Sequence, residues 1–296
     1  MCGLMNWTFW ILLSAVFLAL YDLAKKASVR NNAVLPTLLC SSTFGCLAFV
    51  AGLAACGRLD AVSSITPTIV AVSVAKTVIV ATSWIFTFCA LRTLPITIAT
   101  PIRASAPALV FLLAFFLYGE VPGIVQAIGM LTVFGGYFVF SWAGRHEGID
   151  FFRNRAVWCA IAGAGCSALS AIWDKYVFQV MHAPLETVQL LFQTGLVVFY
   201  GLVLLGQRLL GLKRDAFEWR WTIPFVGILL AGADWLYFNG VALPDVPISV
   251  ASLMRRFSVV LTFLLGAKFF KETNLLRKGL ALAAILVGVI LLCVGK

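Results

Sequence analysis

Charge is scarce in this chain. Only 11% of its 296 residues are Asp, Glu, Lys or Arg, where a soluble domain carries about 25%. With 62% hydrophobic residues and a mean hydropathy of +1.01, the shortage excludes a large-cored soluble protein and makes the bilayer the solvent. Histidine is scarcer still. His146 and His182 are the only two, both beside loops, so imidazole chemistry has little to work with. The eight cysteines form no C-x-x-C pair and no Cys/His cluster, which argues against a metal site or a disulfide framework. There is no G-x-x-x-x-G-K-[ST] phosphate loop, and no cofactor is expected. Long polar stretches are missing too: the longest, 144–155 and 207–220, are too short for a soluble domain.

What the chain has is apolar runs of the length that crosses about 30 Å of hydrocarbon as a helix. Ten are predicted, at 7–25, 33–55, 68–91, 95–117, 122–143, 156–179, 185–206, 221–242, 246–268 and 275–295. Backbone in lipid must bond to itself, so these runs read as helices. The alternating strands of a barrel would not give such continuous apolar runs. The first run has no basic segment before it and no small-residue cleavage site after it, so it reads as a retained helix. The net charge of +10 is spread over short loops instead of lying in one stripe. That pattern sets membrane orientation and makes the bilayer, not nucleic acid, the partner.

The chain also repeats itself. Shifted by 152 residues, 90–120 (ALRTLPITIATPIRASAPALVFLLAFFLYGE) lies on 242–272 (ALPDVPISVASLMRRFSVVLTFLLGAKFFKE), with eleven of 31 positions identical. Apolar composition inflates such a score, but it does not explain Pro95 on Pro247, Arg103 on Arg255 or Glu120 on Glu272. The same shift sets Asp22 on Asp174 and Phe86 on Phe238. The halves are then 1–149 and 150–296, each with five spans. An odd number makes the second copy enter from the opposite side, so the repeats are inverted. Inverted repeats go with transporters whose site lies near the midplane.

These segments resemble the drug/metabolite transporter superfamily in its bacterial EamA-type branch. The stretch 90–120, ending in Gly119-Glu120, resembles that family's fourth span, and 242–272, ending in Lys271-Glu272, resembles its ninth. YDLAKK at 21–26 and WDKY at 173–176 sit where the first and sixth spans carry small polar motifs. The resemblance covers essentially the whole chain. It implies an all-α membrane fold of ten helices in two inverted five-helix repeats, a transport role, and residence in a bacterial inner membrane. It does not select among amino acids, sugars, nucleotide sugars, phosphorylated metabolites and drugs. Phosphate-ester exchangers of the family also carry basic residues in the ninth span, as Arg255-Arg256 does here.

Ionisable residues inside a span are costly and mark functional sites. The deep ones are Lys76, Arg103, Asp234, Arg255 and Arg256. Asp22, Asp174 and Lys175 sit nearer span ends. Arg103 and Arg255 each follow their matched proline by eight residues, roughly 12 Å into the helix, so both reach mid-membrane from opposite faces. One reading is a cationic clamp for a carboxylate or phosphate. The other is an ion pair of Arg255 with Asp234, or snorkelling to an interface. Arg256 lies about 100° around the helix from Arg255, so the two do not face one spot and one of them has a structural role. Tyr21, Trp84, Trp173 and Trp235 are candidates to line the cavity by stacking or cation–π contact, against the alternative of interfacial belts or helix packing. Asn239 and Trp235, beside Asp234, are the better candidates for substrate contact. Asp234, Asp22 and Asp174 are the carboxylates that could couple a proton; exchange against a counter-substrate, or uniport, fits equally. Glu120 and Glu272 are expected to cap the following helices. Pro95 and Pro247 are expected to start theirs. Pro101 and Pro107, without counterparts, are expected to kink the fourth span alone.

Positive charge outnumbers negative in this deep set, which favours an anionic or zwitterionic metabolite such as an organic acid, amino acid or phosphorylated compound. The alternatives are a flippase for a lipid or lipid-linked sugar and, less well supported, a membrane-embedded enzyme, for which no interfacial cluster of Asp, His or Ser is present. With the N-terminus on one face, loops of that face hold two basic residues and loops of the other fifteen. The positive-inside rule then puts both termini outside, whereas the family resemblance implies both inside.

Overall fold

The computed structural model describes residues 7–58, 64–104, 106, 109, 123–145, 153–212, 215–241, 255, 257–271 and 274–294. Ten α-helices lie among them: α1 (Trp7–Val29), α2 (Val34–Ala55), α3 (Pro67–Thr93), α4 (Ile96–Ala104), α5 (Ile124–Arg145), α6 (Arg155–Lys175), α7 (Leu185–Leu209), α8 (Thr222–Val241), α9 (Phe257–Phe269) and α10 (Leu275–Val294). No strand occurs among the described residues. Each apolar run of the sequence carries one helix. Five of them, α1, α2, α3, α6 and α7, are long and apolar enough to cross a membrane by themselves.

Local signals set the ends. Thr66 accepts from the Ile69 amide at 3.3 Å, with Pro67 in the first turn of α3. Asn154 accepts from the Ala156 amide at the start of α6. Asn31, after α1, takes φ 54°, and Gly211, after α7, takes φ 62°, the left-handed conformation that commonly closes a helix. The Pro95 carbonyl accepts the Ile98 and Ala99 amides at 3.1 and 3.0 Å, which puts Pro95 at the start of α4 as expected. Pro101 lies in the backbone of α4; Pro107, Pro247, Glu120, Glu272 and Arg256 lie outside the described residues. Beyond α6 the chain widens into a π-helical turn, Tyr176–Val180.

The helices pack through small residues. A methyl group on Gly227 of α8 would stand 2.0 Å from the Ser41 carbonyl oxygen and 2.5 Å from the Gly45 nitrogen of α2, so backbone lies directly on backbone there. α5 lies along α10, α1 along α8, and α3 along α6 and α7. Ser14 Oγ donates to the Ala233 carbonyl, α1 to α8, and Ser83 Oγ to the Gly163 carbonyl, α3 to α6, each at 2.7 Å. Such bonds hold helices together where water cannot compete.

One departure from the sequence expectation concerns Lys25 and Lys26. Read as loop residues, they lie inside α1, which runs to Val29, and are 1% and 6% exposed. The loop charge excess on that face persists without them.

Candidate functional site

Helices α1, α2, α3, α6, α7 and α8 bring residues to two intramembrane ion pairs and a small cavity. α3 supplies Lys76, whose Nζ stands 2.7 Å from Asp174 Oδ1 of α6. The ammonium is also stacked between two rings, 5.3 Å from Phe178 of the π-helical turn and 5.1 Å from Phe192 of α7. Lys76 is 7% exposed, a depth a lone ammonium could not hold; the carboxylate and the two ring faces replace its water. α8 supplies Asp234, whose Oδ1 accepts from Arg255 Nη2 at 2.6 Å. The Arg255 guanidinium lies over the Tyr237 ring at 4.3 Å, and its Nε is buried with no hydrogen-bond partner among the described residues. The two ion pairs, Lys76–Asp174 and Arg255–Asp234, stand on different helices. The ion-pair alternative for Arg255 is thus the arrangement present.

The third buried pair is local. Asp22 and Lys25 of α1 stand 2.9 Å apart, 2% and 1% exposed, with the Lys25 ammonium 4.3 Å from the Tyr21 ring. Asp22 and Asp174, equivalent in sequence, therefore have different partners: one on its own helix, one on another. Lys26 donates to the Leu91 carbonyl at 2.6 Å and to that of Leu94, closing the C-terminal end of α3.

The aromatic candidates separate. Tyr21 and Trp84 line a small cavity, with room for about one water, together with Ser42, Gln193 and Gly227. Trp84 meets Phe192 edge-on at 6.4 Å, which ties this cavity to Lys76. Trp173 instead donates Nε1 to the Val72 carbonyl at 3.0 Å, a bond between α6 and α3. Trp235 is 44% exposed and meets Trp10 edge-on at 6.0 Å, on a face of α8 away from the ion pairs. The backbones of Arg103 and Asn239 lie in α4 and α8; their side chains lie outside the described residues.

Sequence reading passed over Lys25, Ser42 and Gln193. Ser41 and Gln193 are 152 positions apart, so the repeat shift could have flagged this pair of polar positions in apolar helices. No group of three or more His, Cys, Asp or Glu that could hold a metal occurs among the described residues.

Around the C-terminal end of α1 the chain is tied by a further set of polar contacts. The Asn32 amide, 0% exposed, donates to the Ser28 and Glu218 carbonyls at 3.0 and 2.8 Å and accepts from the Ala33 and Glu218 amides at 2.8 and 2.9 Å. Arg220 donates to the Ala27 and Arg30 carbonyls at 2.8 and 2.7 Å, and Arg92 pairs with Asp215.

The fold and its long apolar helices define a class: a multi-pass, all-helical membrane protein. Residues 5–142, a little under half of the chain, match the EamA-like transporter family. A solved crystal structure is similar over 95% of this chain and 94% of its own, with a TM-score of 0.63 at 18% identity, a likeness in fold alone. No curated protein matches the chain in sequence.

Proposed function

We propose that the protein is a secondary transporter that moves a small zwitterionic or anionic metabolite by alternating access. The two intramembrane ion pairs, Lys76–Asp174 and Asp234–Arg255, carry this reading. Charges buried in bilayer-spanning helices are expensive and are kept where they bind or couple, and here each pair bridges two helices that must part for access to alternate. Each charge of these two pairs has an opposite partner, so a zwitterion replaces both partners at once: its carboxylate takes Arg255 and its ammonium takes Asp234.

Helix contacts support the two inverted halves, 1–149 and 150–296. α1 packs on α8 as its equivalent α6 packs on α3; α1 packs on α9 as α6 packs on α4; and α5–α10, α2–α7 and α4–α9 pair with their own equivalents. The loop charge bias supports a cytoplasmic location for the face that holds Asn32 and Arg220, with both termini outside.

The test is counterflow into proteoliposomes of a labelled panel of amino acids, organic acids and phosphorylated metabolites, for wild type and for Arg255→Gln and Asp234→Asn. The expected result is flux of at least one charged metabolite, lost in both variants. Variants that carry wild-type flux refute the assignment of the Asp234–Arg255 pair.

A further inference from the structure

We infer that three cationic links join the ends of α1 and α3 and the segment 215–221 into a ring, and that this ring latches the bundle shut at the Asn32 end in the substrate-free protein. The inference rests on the alternating-access reading above and names a gate for it.

The links run from element to element and return to the first. Arg220, just before α8, donates to the Ala27 and Arg30 carbonyls at the C-terminal end of α1. Lys26 of α1 donates to the Leu91 and Leu94 carbonyls at the end of α3. Arg92 of α3 pairs with Asp215, five residues before Arg220. The last carbonyls of a helix have no partner within it and carry the negative end of its dipole, so a cation from a neighbouring element holds each end in place. Asn32 fixes the segment between Asp215 and Arg220: its side-chain amide accepts the Glu218 N–H at 2.9 Å and donates to the Glu218 carbonyl at 2.8 Å. α1 and α3 belong to the first half and 215–221 to the second, so two of the three links cross between halves that must part.

The ring lies just beyond the cavity. Tyr21, Phe88 and Val226 line the cavity; Lys26 follows Tyr21 by five residues, Leu91 follows Phe88 by three, and Arg220 precedes Val226 by six. That sets the ring about 5–9 Å further along the helix axes. Between the two stands the Lys25 ammonium, 4.3 Å from the Tyr21 ring and 5.7 Å from the Phe88 ring. A molecule leaving toward this end meets Lys25 and then the ring.

The latch is one-sided. The 152-residue shift sets Lys26 on Phe178, Arg92 on Pro244, Asp215 on Ser63 and Arg220 on Thr68, so none of its four charges recurs at the other end. Within the ring, Arg92–Asp215 is the link that yields first. Its side chains are 33% and 54% exposed and compete with water, whereas Lys26 is 6% exposed.

Opening is read from the labelling rate of one cysteine in the cavity wall, introduced by Ser42→Cys with the native cysteines replaced by alanine. The full-length protein is labelled in detergent, without substrate, by a small charged methanethiosulfonate. Arg220→Leu, which removes two bonds to carbonyls, is expected to raise the rate by at least about tenfold. Arg92→Asp sets two carboxylates together and is expected to raise it by about fivefold, and the swap Arg92→Asp/Asp215→Arg to return it to within about twofold of the parent. Glu218→Gln alters a carboxylate that bonds Arg220 from outside the ring and is expected to leave the rate within about twofold. The swap carries the test should Arg220→Leu not fold, because a merely loosened bundle is not repaired by reversing a pair. Rates that do not rise, a swap that does not restore them, or an equal rise in Glu218→Gln overturn the latch and leave any flux in the counterflow panel standing. The expected pattern in a protein that moves none of the panel keeps the ring as the closure of this cavity and removes the transport reading.

Discussion

The contact between Gly227 and Gly45 offers the most direct test of how this bundle is held. A Cβ on Gly227 would sit 2.0 Å from the Ser41 oxygen, 2.5 Å from the Gly45 nitrogen and 3.0 Å from the Gly45 Cα. Carbon and carbonyl oxygen need about 3.3 Å, and every atom met is backbone, so no side chain can rotate away. For Gly227→Ala, α2 and α8 must separate by roughly 1 Å, which loosens α1 and α7 as well, since both pack on this pair. Overpacking of this kind costs about 1–3 kcal/mol. At about 2–4 °C per kcal/mol for a chain of this size, the melting temperature should fall by about 2–12 °C. The control is Gly201→Ala in α7, where nothing lies within 4 Å of the added methyl; there the better helix propensity of alanine should leave stability unchanged or raise it by up to about 1 kcal/mol. Tryptophan-fluorescence melting in detergent reads both. A Gly227→Ala protein that melts at or above Gly201→Ala refutes the close-packed α2–α8 contact.

Breaking the Lys76–Asp174 pair should destabilise the protein. Lys76→Met or Asp174→Asn leaves a charge without its partner, at the lower end of the roughly 3–5 kcal/mol of a fully buried pair because the Asp174 side chain is 36% exposed. The double variant Lys76→Met/Asp174→Leu should recover most of the loss, and melting that only adds the two single losses counts against the pairing. Asn32→Ala removes four hydrogen bonds that tie Glu218 and Ala33 to the end of α1; deuterium uptake at 215–221 should rise by at least tenfold in rate, about 1.4 kcal/mol, and unchanged uptake would show that Asn32 does not hold this segment. Orientation is read from Cys56, which is exposed just past α2. In a variant that retains only this cysteine, an impermeant maleimide should label intact cells; labelling that requires lysis reverses the topology.

Much of the architecture was legible because the bilayer restricts the choices. Backbone in hydrocarbon must bond within its own segment, so the apolar runs specify helices directly. The structure places a helix in each of the ten runs, with shifts of a few residues where ends are set by caps and not by hydropathy. α1 is the clearest case. Hydropathy stops at the charges near residue 25, but the helix continues to Val29, because Asp22 neutralises Lys25 and the carbonyls of Leu91 and Leu94 hold Lys26.

The site was legible by residue type and not by partnership. Lys76, Asp234 and Arg255 stood out because ionised groups in apolar helices have no innocent explanation, a property of each residue alone. Which carboxylate meets which cation depends on helix rotation and on which spans pack together, and neither is written in periodicity when apolar residues surround the whole helix. That is why Trp235, next to Asp234 in sequence, lies on an exposed face beside Trp10, while Gln193, unremarkable in sequence, lines the cavity. The sequence alone determined the solvent, the helix inventory, the repeat and the charged residues, because each follows from composition or from local spacing. Only the tertiary structure decided that Lys76 pairs with Asp174 across α3–α6 and Arg255 with Asp234 of α8, and that Ser42 and Gln193 line a common cavity, because these are distances between residues apart in the chain.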